Sequence, residues 1–131
     1  MSLYNNLIVV KTQFEACHFW EDMPEDMPHQ YLKYPHRHMF NVRIGVYVEG
    51  DDREIEFFAL KDLLDVLIFN LLNDYNCKKE EENYTLPVIP LSCEMIGRII
   101  LEKLHTYQIF PHFCRVQEDL ENYSEVSPQL N

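Results

Sequence analysis

The stretch that decides the fold is HRHMFNVRIGVYVE, residues 36–49. Apolar and polar residues alternate along it, which is the pattern of a β-strand with one apolar and one polar face. The apolar residues of one parity are Phe40, Val42, Ile44, Val46 and Val48. His36 and His38 stand two residues apart at its start, so their side chains are predicted to point to the same face.

Three further segments are predicted to be strands. Residues 7–18 are rich in Ile, Val, Thr and Phe and contain neither Pro nor Gly. The turn at 50–52 is followed by a short run at 53–57, and this arrangement predicts a β-hairpin with the strand that begins at His36. A last strand is expected at about 112–118, followed by a polar tail.

Two helices are predicted between the third and fourth strands. Over residues 58–73 leucine and isoleucine recur at spacings of three and four, which predicts a helix with one buried face. A second helix is expected from Ser92, a good N-cap, with Glu94 in the first turn where the helix dipole favours a negative charge. The helix dipole alone is thus a structural explanation for Glu94.

The remaining segments are predicted to be loops. Residues 21–35 contain three prolines and no helical period, and a loop of this length is often functional. Residues 74–90, with the charged run 78–82, are predicted to be an exposed connection. The order strand, strand, strand, helix, helix, strand favours an α+β fold in which two helices pack on one face of a four-stranded, mainly antiparallel sheet.

Length and charge restrict the class of protein. A chain of 131 residues is long enough for one domain, 1–131, and too short for two domains that each have a sizeable core. Its net charge of −11 makes nucleic acid a poor partner, although a local cluster of cations can still attract a small anion. No apolar run approaches the length of a membrane span and no signal peptide is recognisable, so we expect a cytoplasmic protein with no membrane partner.

The histidines form the main chemical signal. His36 and His38 can converge on one metal ion, and His18 lies near the end of the preceding predicted strand. If those strands are neighbours, three neutral imidazoles leave one coordination position open, which is typical of catalytic Zn²⁺. The four cysteines are scattered and contain no CxxC pair, so neither a disulfide framework nor a thiolate zinc site is expected.

Several segments resemble the family of 6-pyruvoyl-tetrahydropterin and 6-carboxytetrahydropterin synthases. FEACH at 14–18 and HRHMFNV at 36–42 are similar to the family's F-x-A-A-H and H-G-H-N-Y-x-V motifs. IEF at 55–57 with Leu60-Lys61, SCE at 92–94 and VQE at 116–118 resemble later motifs in the family's order. The matches extend from residue 14 to residue 118.

The resemblance implies a function and an assembly. In this family the three histidines hold zinc, which coordinates the side-chain oxygens of dihydroneopterin triphosphate, and the glutamate matching Glu118 anchors the pterin ring. Glu94 is a second candidate for binding the pterin. The implied fold is the tunnelling fold, in which three subunits close their sheets into a barrel and two trimers stack as a homo-hexamer. Queuosine-precursor or tetrahydropterin synthesis is the implied pathway.

The sequence departs from the family at its proton-transfer residues. Leu32 stands where active members carry a catalytic cysteine, and no cysteine lies between Cys17 and Cys77. The family's Asp-His pair after the first helix is also missing. Some members use a glutamate in place of the cysteine, so Glu25 in the 21–35 loop is the first candidate for a substitute base, the alternative being an ordinary solvated acid. Cys17 should point away from the metal.

Three interpretations of function therefore remain open. The first is a zinc-dependent lyase of this family that acts on dihydroneopterin triphosphate or a related pterin with altered acid and base residues. The second is a non-catalytic or repurposed homologue that keeps zinc and pterin binding. The third, a purely structural domain, requires the convergence of the histidines to be coincidence and ranks last.

Overall fold

A computed structural model describes residues 3–78 and 83–129 of the chain. Over these two ranges the chain forms an α+β structure with five strands, two α-helices and one short 3₁₀ helix. The strands are β1 (Asn6–His18), β2 (His36–Val48), β3 (Val88–Ile89), β4 (Phe113–Glu118) and β5 (Asn122–Val126). The helices are α1 (Phe57–Tyr75) and α2 (Cys93–Thr106), and the 3₁₀ helix is Gln30–Lys33 within the long 21–35 loop.

The strands form one mixed sheet in the order β3-β1-β2-β4-β5. β3 pairs with β1 in parallel, and all other pairs are antiparallel. The longest pair is β1 with β2, in register from Asn6 opposite Val48 to His18 opposite His36. The expected four-stranded sheet is therefore wrong in its strand count, while the two helices and the α+β class are confirmed.

The predicted third strand at 53–57 does not exist. Residues 49–56 form a loop, and Glu56 is the N-cap of α1, where its carboxylate accepts hydrogen bonds from the backbone N–H groups of Phe58 and Ala59. Ile55 still packs against the core. The short alternation of apolar and polar residues in this segment therefore belongs to the loop and N-cap that begin α1, and not to a strand.

Two strands were missed from the sequence. β3 has only two residues and lies inside the predicted connection 74–90, and β5 lies in the predicted polar tail. β3 is too short and β5 is too polar to produce a periodic signal. Both are held in the sheet by pairing, β3 with β1 and β5 with β4. Most of the charged run, residues 79–82, lies outside the described residues.

The core lies between the helices and one face of the sheet. Even-numbered residues of β2 and β4 form that face, and five of them are fully buried, namely Phe40, Val42, Ile44, Cys114 and Val116. α1 packs against β1, and α2 packs against β4 and β5. Ser92 caps α2 by accepting a hydrogen bond from Met95 N–H, as the sequence predicted. Gly45 is required where it stands, since a Cβ there would collide with the ring of Phe113.

Within the described ranges, neither helix combines the length and the hydropathy that a membrane crossing requires.

Candidate metal centre

Three histidines meet where β1 ends and β2 begins. The antiparallel register places His18 opposite His36 and Ala16 opposite His38, so all three imidazoles lie on the face of the sheet that also carries the core. One nitrogen from each ring lies within 4.8 Å of the others. The predicted clustering of His18, His36 and His38 is therefore confirmed, and the group can hold a metal ion.

The other ring nitrogen of each histidine is held by an oxygen. Nδ1 of His18 lies 2.9 Å from the carbonyl oxygen of Leu91, and Nδ1 of His36 lies 2.9 Å from that of Tyr34. Nδ1 of His38 contacts the carboxylate of Asp119. Because these oxygens only accept hydrogen bonds, each Nδ1 is the donor, which leaves Nε2 as the nitrogen that can offer a lone pair to a metal ion. Metal-binding histidines are oriented in this way.

Glu118 completes the group from β4. Its carboxylate oxygens lie 3.4 Å from Nε2 of His18 and 3.5 Å from Nε2 of His38. The latter nitrogen is buried and has no hydrogen-bond partner among the described residues. Lone pairs that face a carboxylate repel one another unless a cation lies between them. Zn–N bonds of about 2.0–2.1 Å in a tetrahedron separate neighbouring ligand atoms by about 3.3–3.4 Å. These residues therefore fit a metal ion, with Glu118 placed to be a fourth ligand.

The pKa shifts at the centre favour the protonation states that bind a cation. Burial lowers the pKa of His18, and the neighbouring His36 and His38 act in the same direction, against the hydrogen bond with the Leu91 carbonyl. The hydrogen bond from His38 lowers the pKa of Asp119, which keeps that carboxylate ionised. A neutral His18 offers a free lone pair at neutral pH, since no proton must first be displaced.

The pKa of His18 predicts how the metal-free protein responds to acid. The unfolded chain takes up a proton at His18 as the pH falls through about 6.5, whereas the folded chain, with its lowered pKa, does so only at lower pH. The free energy of unfolding is therefore expected to decrease as the pH falls below about 6.5. Urea unfolding at pH 7 and pH 5.5 measures this decrease. A His18→Asn variant should show a smaller one, and an equal decrease in both proteins would contradict the prediction.

A cleft of about 530 Å³ opens beside the histidines. It is lined by His18 and His36, by both glutamates predicted to bind substrate, Glu94 and Glu118, and by Leu32 from the long loop. Glu21 and Asp22 also line it. Glu25 is exposed and is not among the lining residues, so its role as a base stays a prediction that the cleft does not support.

Neither cysteine near the centre is prepared to act as a base. The thiol of Cys93 donates to Oε1 of Glu118 at 3.4 Å, and burial together with the Glu118 charge strongly raises its pKa. Cys17 lies opposite Arg37 on the other face of the sheet, as predicted, and burial raises its pKa as well. Both sulfurs are therefore protonated thiols at neutral pH.

Asp119 is a site residue that the sequence did not reveal. Its backbone has a φ of 51°, a left-handed conformation that Asp tolerates, and its N–H donates to the Met39 carbonyl. One carboxylate oxygen accepts from Met39 N–H at 2.8 Å while the other contacts His38. Asp119 is 81 residues from His38 along the chain and follows the end of β4. The only available signal was an acid that directly follows Glu118.

Replacing Asp119 by Asn tests this orientation. An amide has one acceptor oxygen, so either Met39 N–H or His38 Nδ1 faces an NH₂ group, and the second arrangement places the His38 proton on Nε2. Zinc affinity is expected to fall about 10- to 100-fold, the usual effect of removing such a partner. Competition with a colorimetric chelator measures it. Glu121→Gln, an exposed acid nearby, is the matched control, and equal affinities in the two variants would refute the assignment.

Comparison with known proteins supports the fold alone. No protein-family model and no curated protein sequence matches this chain. The fold is similar to the crystal structure of an uncharacterized protein from Wolinella succinogenes, with a TM-score of 0.66 and 13% identity. That likeness covers 96% of this chain and 99% of the other. At this identity it supports an α+β fold and says nothing about chemistry.

Proposed function

We propose that this protein is a zinc-dependent pterin-converting enzyme of the 6-pyruvoyl-tetrahydropterin and 6-carboxytetrahydropterin synthase type. The observation that carries the proposal is the convergence of three oriented Nε2 atoms beside a carboxylate, at the wall of a cleft large enough for a small molecule. Neutral nitrogen ligands are those that Zn²⁺ prefers when it activates a ligand. The motif order from residue 14 to residue 118 supports the pterin class.

The cleft provides groups for such a substrate. A bound zinc ion would polarise a side-chain hydroxyl or carbonyl oxygen of the ligand. Glu118 can accept two parallel N–H bonds from the guanidine-like edge of a pterin, and Glu94 offers a second carboxylate on the same wall. The carboxylate of Glu118 also lies close enough to the histidine Nε2 atoms to share a metal ion with them. Glu118 therefore either binds the pterin or serves as the fourth ligand of the metal ion.

A base must also stand near the substrate. The family's cysteine position is Leu32, which lines the cleft and cannot move a proton. Glu25 remains the proposed substitute, on the condition that its loop closes over the cleft. Glu21 belongs to the same loop and already lines the cleft, so Glu21→Gln is the comparison that any test of Glu25→Gln requires.

The free edges of the sheet support the proposed assembly. The outer edge of β1 at residues 6–16 and the outer edge of β5 have no strand partner among residues 3–78 and 83–129. Such edges present unpaired backbone N–H and C=O groups. Pairing of β1 of one copy with β5 of the next would continue the sheet into a closed tunnelling-fold barrel with the helices outside, and two stacked trimers would give the proposed homo-hexamer. The free cysteines fit a reducing, cytoplasmic compartment.

The second candidate function is a homologue that binds zinc and a pterin without lyase chemistry. Leu32 in the cleft favours it, because proton removal from a substrate side chain needs a positioned base.

Two measurements decide between these functions. Elemental analysis of the purified protein should give about one zinc per chain for both of them, as expected for one such centre per chain. Incubation with dihydroneopterin triphosphate and product detection then separates them. Pterin binding without turnover would establish the second function, and absence of both zinc and pterin binding would refute both.

A further inference from the structure

The face of the sheet that the helices leave uncovered carries an ordered set of polar side chains. Lys11 of β1 lies opposite Arg43 of β2, and Arg43 lies opposite Arg115 of β4. We call these three residues the cation row. Two positions along the strands, Gln13, Asn41 and Gln117 form an adjacent row of amides. All six have odd numbers and therefore lie on the face opposite to the histidines.

The cation row is unfavourable for folding. Directly opposite residues in a sheet have Cβ atoms about 4.5–5.5 Å apart, and like charges at this distance repel. Arg115 is paired with Glu125 and lies over the ring of Tyr123. Lys11 and Arg43 have no ion pair or side-chain hydrogen bond with any residue in the described ranges. Within the described residues, the fold therefore holds two adjacent cations that lack a counter-charge.

These side chains line a cleft of about 320 Å³. A fourth cation, Lys61 of α1, reaches the same cleft, and among its lining residues in the described chain there is no carboxylate. This composition contrasts with the whole chain, in which acidic residues outnumber basic ones 22 to 11. The cleft thus combines charged donors with the neutral N–H donors of three amides, a set that suits oxyanions.

We infer that the cation row binds a small oligophosphate anion. Strands about 4.8 Å apart spread the three cations over about 10 Å, which suits a chain of two or three phosphoryl groups better than a single one. A long polyanion is disfavoured, because the attraction of the row reaches only a Debye length of about 8–10 Å, and the parts of the polyanion that extend past it meet the acidic remainder of the molecule. The anion also removes the repulsion within the row, so binding stabilises the fold.

This site is separate from the metal centre of the same chain. Lys11 and His18 are seven residues apart on β1, about 23 Å along an extended strand, and their side chains point to opposite faces. An anion held by the cation row therefore does not contact the histidines of its own chain, and the inference does not depend on the proposed function.

Titration with inorganic triphosphate at low ionic strength tests the site. Saturable binding by calorimetry and a higher melting temperature are expected for the wild-type protein, and both effects should weaken with added salt. Arg43→Gln should weaken binding about 10- to 100-fold, because charge-assisted hydrogen bonds are lost. Lys103→Gln is the matched control, since it removes one positive charge from α2, where Lys103 faces Asp74 outside the cleft.

His36→Ala completes the design, because triphosphate also chelates metal ions. If triphosphate binding is unchanged in His36→Ala and weakened in Arg43→Gln, the result supports the site, whether or not the histidines bind a metal ion. Loss of binding in His36→Ala with retention in Arg43→Gln would place the anion at the metal centre and overturn the inference. It is also overturned if the wild type does not bind triphosphate. A change of oligomeric state in Arg43→Gln with unaltered binding would instead assign the row to a contact between copies.

Discussion

His36→Ala is expected to abolish stoichiometric zinc binding under ordinary purification conditions. Structural zinc sites with four ligands bind with about 10–16 kcal/mol, so an equal share is about 2.5–4 kcal/mol per ligand, or on the order of a 100- to 1,000-fold loss of affinity. His36 is the best choice of the three because its ring is only half-buried, whereas His18 is buried. Elemental analysis and chelator competition measure the effect.

The control must remove a histidine without touching the centre. His105→Ala, near the end of α2, removes an imidazole that contacts Phe110 and not the cluster. We expect it to bind zinc as the wild type does. Retention of one tightly bound zinc in His36→Ala would show that the ion lies elsewhere, and the proposed function would fall with it.

Phe40→Ala is expected to cause a large loss of stability. Phe40 is fully buried, its ring stacks on Phe14 at 5.0 Å between centroids, and it lies against the rings of His18 and His38 at 5.1 and 5.7 Å. Removing a buried phenyl ring from a core usually costs about 3–5 kcal/mol. Zinc affinity should decrease too, because the cavity lets two of the ligand rings move. Urea unfolding of the metal-free protein and chelator competition measure the two effects.

Two variants separate packing from chemistry. Phe58→Ala removes the same ring from an exposed position in α1, where 72% of the residue is accessible, and is expected to change stability by about 0.5 kcal/mol or less. Phe40→Leu keeps most of the apolar volume and should lose clearly less stability than Phe40→Ala. If Phe40→Ala lost no more than Phe58→Ala, Phe40 would not be the link between the core and the centre.

The long elements were predictable because their periods are local. The alternation in 36–49 and the three-and-four spacing in 58–73 follow from backbone geometry within each segment, and the structure has β2 and α1 there. The predicted strand at 53–57 failed for a related reason. Five residues are too few to distinguish a strand from the entry of a helix, which Glu56 caps.

The metal centre was predictable as a set of residues and not as a geometry. The spacing of His36 and His38 on one strand, with His18 on the strand before, was sufficient to name the three histidines that the structure brings together. The contact of Asp119 with His38 joins residues 81 apart, and the bond from His18 to the Leu91 carbonyl joins residues 73 apart. No local pattern records either contact. The cation row was equally hidden, because Lys11 and Arg115 become near neighbours only through β2.

The local order of this chain follows from its sequence alone. Amino-acid spacing predicts the two long strands, the two helices and the histidines at the strand ends, because side chains return to the same face every 2 residues in a strand and every 3.6 residues in a helix. The rest depends on folding. β3 and β5 exist because β1 and β4 offer them hydrogen bonds, and Glu118 reaches the histidines because β4 lies beside β2. Pairing over such separations reflects the burial of the whole core, which no short stretch of sequence contains.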